Sequence, residues 1–173
     1  MFCSDGECGY MDITIREARL SGGGELEELQ DLLTEYFVEI GIDANDPKAS
    51  RLLSLGEIYQ QPSSIFVAIH NCRLVGCVCV KQLDQNVAEI QQLFVLKNFR
   101  KDGVGRRLLS FAVERGLRVF DILRLDSRKD LIPAIKLYYS LGFYEIERYN
   151  ENPHAEIFFE INNKTFYTED KVI

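Results

Sequence analysis

The sequence contains little histidine, less basic than acidic charge and no long apolar stretch, and each of these shortages excludes a class of protein. His70 and His154 are the only histidines, so a histidine-based metal centre or catalytic triad has few available ligands. The 27 Asp and Glu residues outnumber the 20 Lys and Arg residues, which disfavours a nucleic-acid-binding protein because such proteins carry basic surfaces. No apolar run approaches the roughly 20 residues that span a membrane, and the N-terminal residues lack the pattern of a secretory signal.

Cysteine is present, but its pattern favours neither disulfides nor a metal site. The chain has five cysteines, an odd number, and Cys77 and Cys79 lie in the strand-like segment LVGCVCV. Free thiols in a reducing compartment are therefore expected, which indicates a cytoplasmic protein. Cys3 and Cys8 have poor zinc spacing and no matching second pair, so no metal ligand is predicted.

Hydrophobic periodicity predicts one α/β domain with the element order β-α-α-β-β-β-α-β-α-β-β. A first helix should stop at Gly41, and a second, shorter helix should lie between Pro47 and Pro62. Asp130 is expected to cap a later helix with Pro133 in its first turn. Antiparallel strands followed by strand-helix-strand crossovers indicate a mixed sheet covered by helices. Residues 1–10 are expected to form a leader or flexible N-terminus, residues 11–163 the domain, and residues 164–173 a C-terminal tail.

The segment FRKDGVGRRLLSF, residues 99–111, places basic residues around two glycines just before an amphipathic helix. A helix start presents backbone N–H groups without intrahelical partners, and the helix dipole adds positive character there. Gly103 and Gly105 would let a phosphate approach the backbone closely. A simple turn explains the same residues, so this segment alone leaves both interpretations open. No Gly-Lys-Ser/Thr follows and the third glycine of a dinucleotide fingerprint is missing, which excludes a P-loop and disfavours a Rossmann site.

Two motifs together carry a family resemblance. RKDGVG resembles the Arg/Gln-x-x-Gly-x-Gly/Ala signature of the GNAT superfamily of N-acetyltransferases, and the longer segment AEIQQLFVLKNFRKDGVGRRLLSFAVERG resembles that family's fourth strand, loop and third helix. AIKLYYSLGFYEI resembles its second hallmark, a helix that ends in Leu-Tyr-x-x-x-Gly-Phe and continues into a strand. The element order agrees from Met11 to about Ile161, and other segments are similar to small bacterial GNAT proteins of undefined substrate.

The resemblance implies a GNAT fold, with a mixed, mostly antiparallel sheet of six to seven strands and about four helices. The fourth and fifth strands would splay apart and admit acetyl-CoA as the acetyl donor. Backbone groups of Leu93, Phe94 and Val95 would pair with the pantetheine arm and acetyl carbonyl, and an N–H aimed at the thioester oxygen stabilises the transition state. The pyrophosphate would bind the following loop, which consists of Arg100, Lys101, Asp102, Gly103, Val104, Gly105 and Arg106.

Two catalytic side chains are implied by the same resemblance. Tyr138 occupies the tyrosine of Leu-Tyr-x-x-x-Gly-Phe, whose hydroxyl protonates the departing thiolate in many relatives. A tyrosine that simply packs in the core is the alternative. Glu89 lies six residues before Val95, where several relatives carry a general base that accepts the amine's proton through water. A solvated strand residue is the alternative there.

The acceptor side of the cleft carries no motif that identifies a substrate. Acceptor contacts are expected from the two helices between residues 25 and 60 and from the loop around Tyr149 to His154. Gln91 and Gln92 replace residues that are often basic in close relatives, which would alter the substrate side of the cleft.

The expected reaction is direct transfer of acetyl to a primary amine of a small molecule or peptide, in a ternary complex. No cysteine falls at the predicted cleft centre, so transfer through a thiol intermediate is not suggested. The alternative is a catalytically degenerate GNAT domain that binds acetyl-CoA as a sensor or regulatory module. A homodimer built through the aromatic strand EIFFEI and an internal position of that strand are both left open.

Overall fold

The computed structural model describes residues 12–21, 23–42 and 51–166. The strands β1 to β7 span Thr14–Glu17, Ser64–His70, Arg73–Asp84, Val87–Val95, Ile122–Ser127, Tyr144–Ile146 and Ile157–Asn162. The helices α1 to α5 span Gly24–Glu39, Leu55–Ile58, Val104–Gly116, Ile132–Ser140 and Asn163–Phe166. Single 3₁₀ turns at Arg51–Ser54 and Lys97–Phe99 precede α2 and follow β4. The predicted leader, Cys3, Cys8 and the predicted start of the second helix at Pro47 lie outside the described residues.

The strands form one sheet in the order β1-β2-β3-β4-β5-β7-β6. β4 and β5 run parallel, while the other neighbouring pairs are antiparallel, which confirms the predicted mixed, mostly antiparallel sheet. Parallel neighbours need a crossover connection, and α3 supplies it between β4 and β5. β7 pairs with β5 on one side and β6 on the other, so the strand EIFFEI is internal to the sheet.

Helices cover both faces of this sheet. We call the two sides the α1 face and the α3 face, after the helix that packs on each. On the α1 face, α1 and α2 bury an apolar cluster against β2, β3 and β4 that includes Leu29, Leu33 and Phe94. On the α3 face, a larger cluster joins α3 and α4 to the strands through residues such as Leu108 and Phe159. Successive strand residues point to opposite faces, so each central strand contributes to both clusters.

Two helix boundaries, the end of α1 and the start of α4, test the signals that the sequence offered for them. Gly41 follows α1 with a left-handed φ of 77°, as the predicted helix stop requires. The prediction for the start of α4 is wrong, because Leu131 and not Asp130 is the N-cap. Nε and Nη2 of Arg128 donate to both Asp130 carboxylate oxygens at 2.9 and 2.6 Å, so that carboxylate is engaged by a guanidinium instead of by the helix amides. Pro133 lies in the first turn, as predicted.

Candidate active site

β4 and β5 part shortly after they begin to pair. Their parallel ladder starts at Val87 and ends at Glu89, which lies opposite Arg124. β4 nevertheless continues to Val95 and remains paired with β3 to that point. The second half of β4 therefore faces a gap on its β5 side, and the predicted splay of the fourth and fifth strands is confirmed.

A bulge in β4 lies beside this gap. Between Cys77 and Cys79 of β3, the opposing part of β4 contains one extra residue, and Gln92 there has a positive φ of 53°. Bulges bend a strand and increase its local twist. The side-chain oxygens of Gln91 and Gln92 both accept from the Tyr59 hydroxyl, at 3.2 and 3.4 Å, so two consecutive side chains face the α1 side. The bulge is thus a physical cause for the divergence of the strands.

The glycine loop leads directly from the gap to the start of α3. Gly103 is the N-cap, with φ 77° and ψ 1°, and no side chain caps this helix within the described structure. The Arg107 N–H donates to the Gly103 carbonyl at 3.0 Å, so the amides of Val104, Gly105 and Arg106 precede the first intrahelical hydrogen bond. A Cβ placed on Gly103 would meet no atom within 4 Å. Open space therefore borders a group of amide donors that suits an anion.

Two of the basic residues in this loop hold protein groups. Arg100 Nε donates to the Val95 carbonyl at 2.7 Å, and its Nη2 pairs with the Glu39 carboxylate of α1 at 2.8 Å. Arg106 Nη2 donates to the Ser140 hydroxyl at 2.7 Å, which joins the start of α3 to the end of α4. The guanidinium groups thus brace the walls of the gap, whereas the backbone amides at the start of α3 precede the first intrahelical hydrogen bond.

The other residues predicted to bind acetyl-CoA line the same route. Lys101 and Asp102 are exposed in the turn before α3, and Lys101 has a positive φ of 75°. The backbone segment predicted to pair with the pantetheine arm forms the last part of β4, beside the gap: Leu93, Phe94 and Val95.

Tyr138 lies on the α3 face, at the opposite wall of the gap. The residue is 8% exposed, and its ring packs 6.0 Å from the Phe143 ring and 5.5 Å from the Phe159 ring. Burial raises the pKa of Tyr138 to about 12, and a hydrogen bond with the Ser127 hydroxyl at the end of β5 acts in the opposite direction. The side chain is therefore both a packed core residue and a phenol that stays protonated at neutral pH. The neighbouring Tyr139 is 48% exposed.

Glu89 is a buried carboxylate at the point where the strands part, with 7% of the residue exposed. Its Oε1 accepts from the Tyr149 hydroxyl at 2.7 Å and from Asn150 Nδ2 at 3.0 Å, and its Oε2 accepts from Gln91 Nε2. Burial of a charge is tolerated when hydrogen bonds replace water. Glu89 therefore lies on the α1 face as a carboxylate held by donors from β4 and from the loop between β6 and β7.

A second carboxylate, Asp126 of β5, joins the same network. Asn150 Nδ2 donates to Asp126 Oδ2 at 2.6 Å, and Asn152 Nδ2 donates to Asp126 Oδ1 at 3.0 Å. Burial raises the pKa of Tyr149, and the neighbouring Glu89 carboxylate raises it further. The β6–β7 loop thus closes over the α1 face of the gap with amide and phenol donors aimed at two carboxylates.

Three residues beside the gap were not singled out as site residues by any motif in the sequence: Tyr36, Tyr59 and Asp126. Helical spacing assigns Tyr36 only to the apolar stripe of α1, yet its ring lies 5.7 Å from the Phe94 ring. Burial raises the pKa of Tyr36, and Tyr138 and Asp126 act on it in the same direction. No motif singled out Asp126 or Tyr59, although Tyr59 lies in the region between residues 25 and 60 from which acceptor contacts were expected. The unusual Gln91–Gln92 pair was the one available signal for the contact that Tyr59 makes.

The described residues contain no group of three or more His, Cys, Asp and Glu side chains that could hold a metal ion. Among them, Cys77 and Cys79 are buried free thiols on β3. Burial raises the pKa of both thiols, to about 12 for Cys79. Over the same described ranges, none of the helices has the length and apolarity needed to cross a bilayer.

The gap between the parallel strands β4 and β5, with a glycine-started helix at its mouth, agrees with the GNAT fold that the sequence motifs implied. Residues 26–143 match the acetyltransferase (GNAT) family. This match covers more than half of the chain, and the protein belongs to that family.

Two curated relatives align with most of the chain. An uncharacterized N-acetyltransferase of Chlorobaculum tepidum is 27% identical over 141 residues, which is 79% of each chain. An uncharacterized N-acetyltransferase of Schizosaccharomyces pombe is 27% identical over 135 residues, which is 75% of this chain and 82% of the relative. These relatives agree with the family assignment.

Solved structures show the same fold. A GNAT-family acetyltransferase of Staphylococcus aureus superposes with a TM-score of 0.73 at 24% identity, covering 87% of this chain and 98% of that one. The yncA protein of Salmonella typhimurium, solved with its cofactor acetyl-CoA, superposes with a TM-score of 0.70 at 16% identity, covering 92% and 98%. The fold is therefore one on which acetyl-CoA binds in structural neighbours.

Proposed function

We propose that this chain transfers the acetyl group of acetyl-CoA directly to a primary amine within a ternary complex. The observation that carries the proposal is the end of β4–β5 pairing at Glu89. That gap leaves the end of β4 next to the amides of α3, and it has a buried carboxylate on the α1 face and a buried phenol on the α3 face. A donor entering from the α3 side would meet an acceptor entering from the α1 side.

Donor binding rests on backbone groups. The amides at the start of α3 and the helix dipole would hold the pyrophosphate. The pantetheine arm would then extend along Leu93 to Val95, as an added strand extends along a sheet edge. The Val95 carbonyl already accepts from Arg100, and a carbonyl oxygen has a second lone pair. Arg100 therefore fixes the orientation of that peptide without closing it to a ligand.

Glu89 would accept the proton that the amine must lose. An alkyl ammonium group has a pKa near 10, close to that of lysine, so at neutral pH its lone pair is blocked by a proton. After this proton passes to the carboxylate, directly or through one water, the nitrogen attacks the thioester carbonyl carbon and a C–N bond forms. The C–S bond then breaks, the electron pair leaves with the sulfur of CoA, and the second proton of the attacking nitrogen passes to that thiolate or to water, so that a neutral amide and free CoA result.

Tyr138 would stabilise this departing sulfur. A thiol of ordinary pKa, about 8.5, is more acidic than a phenol whose pKa is about 12. The hydroxyl therefore acts mainly by donating a hydrogen bond to the thiolate as charge develops, and full proton transfer is not required. This refines the simple acid role implied by the family resemblance.

Replacing one hydroxyl tests the mechanism. We expect Tyr138→Phe to lower kcat by about 100-fold, while the Kd for acetyl-CoA changes by less than about twofold, since the ring still packs on Phe143 and Phe159. Tyr139→Phe is the matched control, because it deletes a hydroxyl that lies outside the core and contacts Glu145. Release of free thiol from acetyl-CoA over a panel of primary amines gives kcat, and calorimetry gives the Kd.

The outcomes separate an enzyme from a binding module. Turnover that is equal in wild type and Tyr138→Phe would contradict the role of the phenol. Tight acetyl-CoA binding with no turnover on any amine would favour the sensor alternative. Failure to bind acetyl-CoA at all would overturn both.

A further inference from the structure

Asn150 bridges the two strands where their backbone pairing has ended. Its Nδ2 donates to Glu89 Oε1 of β4 at 3.0 Å and to Asp126 Oδ2 of β5 at 2.6 Å. Asp126 lies two residues beyond Arg124, the last β5 residue that pairs with β4. A side-chain amide from a distant loop therefore joins the two walls of the gap at the position of the candidate base.

The chemistry of this bridge requires an amide. A primary amide offers two N–H donors and one carbonyl acceptor, and two carboxylates can share the two donors. The acceptor Oδ1 takes the Asn152 N–H at 3.1 Å, which fixes which end of the amide faces the carboxylates. A carboxylate at this position would instead bring a third negative charge against Glu89 and Asp126.

The backbone that carries Asn150 is itself held in place. Arg148 donates to the carbonyls of Asn150, Asn152 and Ala155 at 3.4, 3.2 and 2.8 Å, and its guanidinium lies 4.8 Å from the centre of the Phe158 ring. The loop is thus ordered by one cation that binds several of its carbonyls. Such an arrangement keeps the amide in place before any ligand arrives, which is what a positioning residue must do.

We propose that Asn150 is a positioning residue for acetyl transfer, which holds the Glu89 carboxylate toward the acceptor amine by tying it to Asp126 across the gap. The inference rests on the proposed function of Glu89 and extends it to the loop between β6 and β7. Without the amide, Glu89 would lose one of its three donors. It would also face the like charge of Asp126 with no shared donor between them.

Asn152 provides a matched control, because it is also an asparagine of the same loop and also donates to Asp126, but it makes no bond to Glu89. We expect Asn150→Ala to lower kcat by about 30-fold, the size of a lost hydrogen bond to a charged group, with the KM for acetyl-CoA within about twofold. Asn152→Ala should lower kcat by less than about threefold. Equal losses in the two variants, or a loss that appears in the acetyl-CoA KM, would overturn the proposal.

A residue exchange separates positioning of the base from simple tethering of the loop. The double variant Asn150→Asp with Asp126→Asn restores an amide–carboxylate pair between positions 150 and 126. Glu89, however, then faces a carboxylate in place of its donor. We expect the exchange to recover the thermal stability lost in Asn150→Asp while kcat stays at least about tenfold below wild type. Recovery of kcat to the wild-type value would show that only the tether matters and would overturn the proposal.

A measurement without substrates keeps the inference separate from the proposed function. Urea unfolding of wild type, Glu89→Gln, Asn150→Ala and the double variant forms a double-mutant cycle. Without coupling, the effect of the double variant on the unfolding constant would equal the product of the two single effects. We expect it to differ from that product by about fivefold. Effects that multiply within about 1.5-fold would overturn the inference even if amine acetylation is observed. A coupled cycle in a protein that acetylates no amine would instead sustain the bridge and contradict the proposed function.

Discussion

The two faces of the sheet meet at the same gap but are built from different kinds of interaction. On the α3 face, the candidate donor site consists of backbone amides at a helix start and of Tyr138 packed among aromatic rings. On the α1 face, the candidate acceptor site consists of side-chain hydrogen bonds that converge on Glu89 from Tyr59 through Gln91 and from Tyr149 and Asn150. The α3 face presents main-chain groups to a ligand, whereas the α1 face presents charged and hydrogen-bonding side chains.

This difference explains why the faces can vary independently. A backbone site depends on dihedral angles and tolerates many side chains, so one donor molecule can be bound by many sequences. A side-chain site changes its chemistry with each substitution. Under the proposed function, substitutions on the α1 face would change the acceptor without disturbing the candidate donor site, provided that the link between the faces through Arg100 is kept.

The largest expected effect is a loss of stability at high pH, which comes from buried ionisable groups on the two faces. Burial raises the pKa of Tyr36, Tyr59, Tyr149 and the two β3 thiols on the α1 face, and of Tyr138 on the α3 face. Each of these groups loses its proton at a lower pH in the unfolded chain than in the folded protein. Its contribution to the free energy of unfolding is therefore complete below the unfolded pKa and falls as the pH rises toward the folded pKa. The window runs from about pH 9 to 12 for Cys79 and from about pH 10 to 12 for Tyr138.

Each such group lowers the free energy of unfolding by about 1.4 kcal/mol per pH unit in its window. We therefore expect the midpoint of urea unfolding to fall steeply between pH 9 and 11. Tyr138→Phe should leave most of that fall in place, because it removes the group on one face only. Repeating the series in 0.5 M NaCl screens surface repulsion but not burial. A midpoint that is constant with pH, or a fall abolished by Tyr138→Phe, would contradict the division between the faces.

The sequence was sufficient for the sheet and for the glycine start of α3 because both leave local patterns. Strand alternation predicted the sheet and Gly41 predicted the end of α1, whereas the splay of β4 from β5 was implied by the resemblance to GNAT proteins. Gly103 could be recognised because a left-handed residue before a helix strongly favours glycine. These features depend on neighbouring residues, so a single chain carries them without any knowledge of tertiary contacts.

The acceptor side could not be predicted in the same way, because its contacts join distant residues. Tyr149 and Asn150 reach Glu89 from 60 and 61 residues away, and no local spacing encodes such a pair. The β4 bulge was equally hidden, although Gln91–Gln92 interrupts the alternation expected of a strand. The cap of α4 was mispredicted for a related reason, since the preference of Asp130 for Arg128 over the helix amides is decided by loop geometry.

The second prediction tests whether the α3 face is a backbone site. Gly103 and Gly41 share a φ of 77°, and a Cβ on either would meet no atom within 4 Å, so valine should strain both positions by a similar 1–2 kcal/mol, roughly. Only Gly103 borders the amides at the start of α3. We expect Gly103→Val to raise the acetyl-CoA Kd by about 100-fold, and Gly41→Val to change it by less than about twofold. Calorimetry measures both, and equal Kd values would show that the glycine loop does not bind the donor.

The smallest expected effect is a change of the acetyl-CoA Kd on substitution of Arg100, which connects the two faces. Arg100→Gln removes its bond to the Val95 carbonyl, its ion pair with Glu39 and its contact with the Phe94 ring, whose centre lies 5.4 Å from the guanidinium carbon. Glu39→Gln removes only the ion pair, whose side chains are 36% and 33% exposed, and such surface pairs contribute about 0–1 kcal/mol. We expect the acetyl-CoA Kd to rise about tenfold in Arg100→Gln and less than about twofold in Glu39→Gln.

The ratio of these two Kd values identifies which of the bonds of Arg100 matters for donor binding. A large ratio means that the guanidinium acts on the end of β4, through the Val95 carbonyl and the Phe94 ring, and that its ion pair with α1 contributes little. Equal weakening in both variants would mean that α1, through Glu39, controls the end of β4. In that case a ligand that moves α1 on the acceptor side would change donor affinity, and by reciprocity the donor would change acceptor affinity by the same factor. The two faces would then be coupled, and their independence would hold only for side chains that do not touch Arg100.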